Sequence, residues 1–160
     1  MAKEAQIRGG KEMSKMIIPF KGVGRYRLYQ TIEDTIAMLK EDGDPFVKEI
    51  WPNEELTNPV PWTIIRSTSG MNMFFAKNKL FKIYADGMFS GTLPNGIGIG
   101  TKMTDAMKID PKIKYDDWDE DWQSIDGYWI EDDPSDDTVM TITVFIKELL
   151  DDELFEQYRW

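Results

Sequence analysis

The chain has no cysteine and no histidine in its 160 residues. Without thiols there are no disulfides and no thiolate nucleophile; without imidazole there is no triad built on a histidine base, and with both missing no zinc site of the usual kind. Chemistry of any sort would fall to carboxylates, Lys, Tyr, Ser or Thr. The missing cysteine fits a reducing cytosol. Long apolar runs are also missing. The opening MAKEAQIRGGKEMSKMIIPF spreads Lys3, Glu4, Arg8, Lys11, Glu12 and Lys15 along its length and holds no apolar stretch of signal-peptide size. Nothing later approaches the length of a membrane span. The expectation is a soluble, unexported, cytoplasmic protein. Residues 1–14 read as a loose leader and 15–160 as one domain, because a 41% hydrophobic composition can fill a single core.

Basic residues are scarce in the second half. Residues 1–100 hold 13 Lys and Arg against 11 Asp and Glu, whereas residues 101–160 hold 6 against 18, so the halves carry +2 and −12 of a net −10. Such a field repels nucleic acid and membrane phosphates and attracts a basic protein. Acidic residues also keep a surface solvated, and that reading covers most of them without a partner.

Local patterns divide the chain into strands and helices. Tyr26 and Leu28 alternate with Arg25 and Arg27, predicting a strand over 23–29 after an extended entry at MIIPF. Ile32, Ile36 and Leu39 at helical spacing, with Thr31 ahead and Gly43 behind, predict a helix over 32–41. Four prolines between 42 and 61 read as an irregular loop anchored by Phe46, Trp51 and Trp62. WTIIRST, MNMFFAK and KLFKIYAD read as strands, the last two closed into a hairpin at Asn78. GIGIGT then sets Ile97 and Ile99 on one strand face, and KMTDAMKI makes a short helix ended by Asp110-Pro111. GYWIED and TVMTITVFI follow as strands, with Met140, Ile142, Val144 and Ile146 on one side, and a helix is expected over 147–158.

Segments 27–35 and 98–106 match in pattern at an offset of 71, and each is followed by helix, loop, aromatic strand, tight turn and strand. The expected fold is therefore α+β, an antiparallel sheet built from two diverged β-α-loop-β-β units, about 20–86 and 95–146, with helices on one face. This order resembles the small unit of the outer-membrane assembly lipoproteins. In tandem it resembles the β-lactamase inhibitor protein family and is similar to bacterial immunity partners of secreted toxins. That resemblance implies a sheet that presents a concave surface to a target protein. Lys102 stands where a capping Thr is expected, Tyr29 where a Gly is, and the paired cysteines of the secreted inhibitors are absent.

The densest feature is YDDWDEDWQSIDGYWIEDDPSDD, which packs eleven carboxylates around Tyr115, Trp118, Trp122, Tyr128 and Trp129. An EF-hand register starting at Asp117 fails, because Trp122 replaces the required Gly and Tyr128 the bidentate Glu. GIGIGT has neither the dinucleotide nor the P-loop spacing, and DDPSDD is turn chemistry. No metal and no cofactor is expected. Trp and Tyr inside a carboxylate rim suit a protein interface, where indoles anchor and charge steers. On one continuous strand Trp118 and Trp122 would share a face with Asp116 and Glu120, with Asp117, Asp119 and Asp121 opposite. The structural alternative packs the indoles on the helices and leaves the Asp row in water. The expectation is a non-enzymatic, acidic immunity-type inhibitor of a basic toxin or enzyme, contacting it through Asp116, Asp117, Trp118, Asp119, Glu120, Asp121, Trp122 and Trp129. The alternatives are a small-ligand pocket between sheet and helices, lined by Trp51, Trp62, Phe74, Phe75, Phe81 and Tyr84, and a carboxylate-dependent hydrolase.

Overall fold

A computed structural model describes residues 15–52 and 60–160. The expected leader and the middle of the proline-rich loop lie outside the described residues. The first helix, α1 (Ile32–Asp42), begins where the sequence places it. Thr31 accepts a hydrogen bond from the Asp34 amide through its side chain, and Gly43 closes the helix in the left-handed region (φ 63°), its N–H reaching the Leu39 and Lys40 carbonyls. The hairpin at Asn78 braces the same helix. Lys77 and Asn78 both have positive φ, the two-residue turn that matches strand twist. The Asn78 side chain accepts from the Ile32 amide and donates to Glu33, so one asparagine ties a turn to a helix start.

Eight strands form the main sheet: β4 (Phe46–Trp51), β5 (Trp62–Ser67), β6 (Met71–Ala76), β7 (Lys79–Ala85), β8 (Lys114–Asp116), β9 (Asp121–Ser124), β10 (Tyr128–Asp133) and β11 (Thr138–Phe145). Their order is β4-β5-β6-β7-β11-β10-β9-β8, antiparallel throughout. Each half of the chain is thus a helix followed by a four-stranded meander, and the last strand of one meander pairs with the last of the other. The second helix, α2 (Met103–Ile109), starts 71 residues after α1, the offset of the sequence match. The fold is α+β.

Several expected elements differ. The segment 23–29 turns at Gly24 instead of running straight, giving β2 (Gly22–Val23) and β3 (Tyr26–Arg27), which join β1 (Ile17–Ile18) in a separate three-stranded sheet. Tyr26 and Leu28 are still buried. GIGIGT is a turn held by the Thr101 hydroxyl and by backbone bonds to Val139; Gly96 and Gly100 both need positive φ there. The proline-rich loop contains strand β4, because Phe46–Trp51 lies between its prolines and pairs with β5 over six residues. A bulge extrudes Met140, so Val139 takes its place on the buried face. The C-terminal helix breaks at Asp151, separating a 3₁₀ turn (Lys147–Leu150) from α3 (Asp152–Glu156); Leu150 and Leu154 are exposed, whereas Tyr158 is buried.

Opposed residues on neighbouring strands share a face, and burial tells the two faces apart. Ile65, Met73, Ile83, Ile130, Ile142 and Val144 are fully sealed, in one cluster with Leu39 of α1 and Met103 and Ala106 of α2. This is the helix-covered face. Asp110, at the end of α2, pins it. Its buried carboxylate accepts from the Ser124 and Tyr128 hydroxyls and from the Lys112 amide, and the Lys112 ammonium stands 3.3 Å away. Burial opposes ionisation of this group, but those donors outweigh it and hold its pKa at about 2. A carboxylate depressed below its unfolded value of about 3.9 adds stability that is present above that value and lost as pH falls towards 2. Asp110→Asn is therefore expected to cost on the order of 2 kcal/mol near pH 7, with the difference from wild type shrinking between pH 5 and pH 2; urea denaturation at stepped pH measures both.

Candidate functional site

The other face of the sheet carries no helix of the two repeated halves, and on it the register lines up a row that crosses both. Arg66, Asn72, Tyr84, Thr143, Trp129 and Gln123 follow one another strand by strand from β5 to β9. A parallel row runs Ile64, Phe74, Lys82 and Phe145. Both rows exist because β7 meets β11, which sets Tyr84 beside Thr143 and Lys82 beside Phe145.

One end of this open face is aromatic and basic. Trp62 packs on Trp51 (6.4 Å between ring centroids), Phe74 and Phe81, and the C-terminal Phe155 and Trp160 close over Phe81. The Trp62 indole N–H donates to the Tyr158 hydroxyl. Arg66 donates to Glu49 at 2.7 Å, to Asn72 at 3.0 Å and to the Tyr84 hydroxyl at 2.9 Å. Lys82 holds its ammonium 4.3 Å from the Phe74 ring centroid and 6.0 Å from that of Trp62. Burial pushes its pKa down to about 8, against the attraction of Glu131.

The other end is acidic. A cavity of about 380 Å³ is lined by Lys82, Tyr84, Asp119, Asp121, Trp129, Glu131 and Thr143. A second, of about 440 Å³, shares Trp129 and extends to Lys114, Gln123, Ile125 and Leu150. Trp129 forms the ridge between them, its ring 4.1 Å from that of Phe145. Burial, and then the charges of Asp119, Asp116 and Glu131, push the Asp121 pKa up to about 6, although a hydrogen bond from Gln123 works the other way.

The residues expected to contact a partner do not lie on one strand. Asp116 ends β8 and accepts from the Trp118 and Asp119 amides, both at 2.9 Å, so the chain reverses through 117–120, with Glu120 at positive φ. Trp118 sits at the tip and is 93% exposed, with Asp117 and Glu120 beside it in water. Trp122 points to the helix-covered side, its ring 5.1 Å from Tyr115 and its indole N–H on Asp132. Asp116 and Asp121 are opposed across the hairpin and face the open side, as does Trp129. The alternation expected of a straight strand fails because Asp116 nucleates a turn. The same hairpin replaces the calcium loop tested at 117–128.

The expected aromatic pocket also divides. Trp51, Trp62, Phe74, Phe81 and Tyr84 gather on the open face, while Phe75 opposes Leu80 on the covered one, so these six do not enclose a space between sheet and helices. Sequence reasoning missed Lys82, Thr143 and Glu131 as members of one site. The available signal was in KLFKIYAD, where a lysine occupies a central strand among apolar residues, but the bulge at Phe81 hides which face it takes. No helix among the described residues is long and apolar enough to cross a membrane. No family model, no curated protein and no solved structure matches the chain.

A carboxylate raised above its unfolded value adds stability that is fully present below about pH 4 and is lost as pH rises through 6. Asp121→Asn should therefore raise stability at pH 7 by about 1 kcal/mol after solvent screening, and by almost nothing at pH 4. Thermal melts at the two pH values test the sign.

Proposed function

We propose that the protein is a non-enzymatic binder of another protein, an acidic inhibitor of the immunity type that receives a basic partner on the open face of its sheet. The observation that carries this reading is the eight-stranded sheet with α1 and α2 on one face and Trp129, Tyr84 and Lys82 laid out on the other, bordered by Asp116, Asp119 and Asp121. Aromatic anchors inside a charged border are the composition that interface hot spots favour.

The acidic hairpin selects the sign of the partner. Its tip projects Asp117, Trp118 and Glu120 into solvent, where fields are felt first by an approaching molecule and where salt screens them. Trp129, ridged between two cavities, supplies a ring that a partner side chain can desolvate. Trp122 serves the hairpin from behind, holding it to Tyr115 and Asp132 without meeting the partner. Occlusion of a basic active surface would then inhibit, with no chemistry asked of this chain.

A photo-crosslinking residue at position 129 should capture a target of high pI, and the same residue at position 108, on the outer side of α2, should not. The purified target should bind roughly tenfold more weakly at 300 than at 50 mM salt. Reversing Asp117, Asp119 and Asp121 to Lys should cost at least about tenfold in affinity. Capture of an acidic target, or equal capture from both positions, would sink the reading.

A further inference from the structure

Lys82 occupies the middle of β7, between Phe74 of β6 and Phe145 of β11. Ammonium groups in such places are ordinarily matched by a carboxylate at hydrogen-bond distance. Here the ammonium lies over the ring faces of Phe74 and Trp62, and no carboxylate among the described residues forms an ion pair with it. Glu131 and Asp121 line the same cavity without an ion pair to it. The amine is thus half-buried against aromatic rings, yet it opens on a space of about 380 Å³, large enough for a small organic molecule. Arg66, two strands away on the same face, is by contrast matched to Glu49, Asn72 and Tyr84.

We propose that Lys82 is a nucleophilic amine that captures an uncharged aldehyde as an imine in this cavity. The nitrogen lone pair attacks the carbonyl carbon, forming the C–N bond as the carbonyl π pair moves to oxygen. The oxygen takes two protons in turn, first as the carbinolamine hydroxyl and then to leave as water. Nitrogen gives up two protons and its lone pair closes the C=N bond as the C–O bond breaks, so that R–CHO and the lysine amine become R–CH=N–Lys and water with no redox change. Nucleophilic lysines are made by desolvation, which disfavours the ammonium and leaves a free lone pair. The groups facing the cavity suit the remaining steps. Asp121, its pKa lifted by burial to about 6, lines the cavity and can in its protonated fraction give the oxygen one of its protons, and the negative charge of Glu131 favours the protonated imine once formed. Three carboxylates on the walls, Asp119, Asp121 and Glu131, turn away aldehydes that carry an anionic group.

With a pKa of about 8, the free-amine fraction of Lys82 at pH 7 exceeds that of an ordinary lysine by roughly 200-fold. The intact protein is incubated at pH 7 with limiting butyraldehyde or with limiting glyoxylate, reduced with cyanoborohydride, and mapped by peptide mass spectrometry. Lys82 should be alkylated at least about tenfold faster than the exposed Lys40, Lys79 and Lys108, with butyraldehyde preferred over glyoxylate, and the selectivity should vanish in 8 M urea. Lys82→Arg, which keeps the charge, should remove the fast phase and leave the remaining labelling unchanged. Labelling of Lys82 no faster than of those exposed lysines, selectivity that survives urea, or a preference for glyoxylate would overturn the proposal. None of these readouts depends on a protein partner.

Discussion

The pairing of β7 with β11 is the contact on which this structure turns. Four registered pairs, Ala85 with Ile142, Tyr84 with Thr143, Ile83 with Val144 and Lys82 with Phe145, join the two meanders. The cross-strand contacts themselves are worth only about 0.2–1 kcal/mol each. More comes from Ile83, Ile142 and Val144, all fully buried on the covered face, each contributing about 1.5–3 kcal/mol by leaving water. Separated, each meander would expose an apolar edge strand open to aggregation. Joined, they abolish two edges and bring an aromatic, basic half against an acidic one.

That junction is why the open face has a site at all. Lys82 and Tyr84 come from one half of the chain, Thr143, Glu131 and Asp121 from the other, and only the strand order β6-β7-β11-β10-β9 makes them neighbours. Environment then differentiates chemically similar groups. Asp110 and Asp121 are eleven residues apart in an acidic segment, yet one is held at about 2 by hydroxyl and amide donors and the other lifted to about 6 by burial and neighbouring charge. The first fastens α2 to the back of the sheet, and the second stores electrostatic repulsion at the front, where a cation would relieve it.

Much of the architecture was legible in the residues. Thr31 and Gly43 mark the ends of α1, Lys77-Asn78 marks the tight hairpin, and the 71-residue offset reappears as the spacing between the starts of α1 and α2. These are local signals, decided by capping and turn preferences that a short window contains. The failures share a cause in the opposite sense. Strand β4, with five of its six residues exposed, lacks alternating apolar character and looks like loop, because its pairing with β5 supplies what its own sequence does not. Met140 and Phe81 sit at bulges, which shift the face of every residue beyond them and leave little mark on composition.

From the sequence alone came the charge asymmetry, the exclusion of thiol and imidazole chemistry, the α+β class and the boundaries of α1 and α2, since composition and nearest-neighbour preferences suffice for each. The tertiary structure decided which face each aromatic and each carboxylate occupies: Trp129 outward, Trp122 to the covered side, Trp118 alone at a tip, and Lys82 unpaired among rings. Facing depends on register and bulges between strands that lie up to some sixty residues apart, as β7 and β11 do, and no local pattern encodes a partner at that distance.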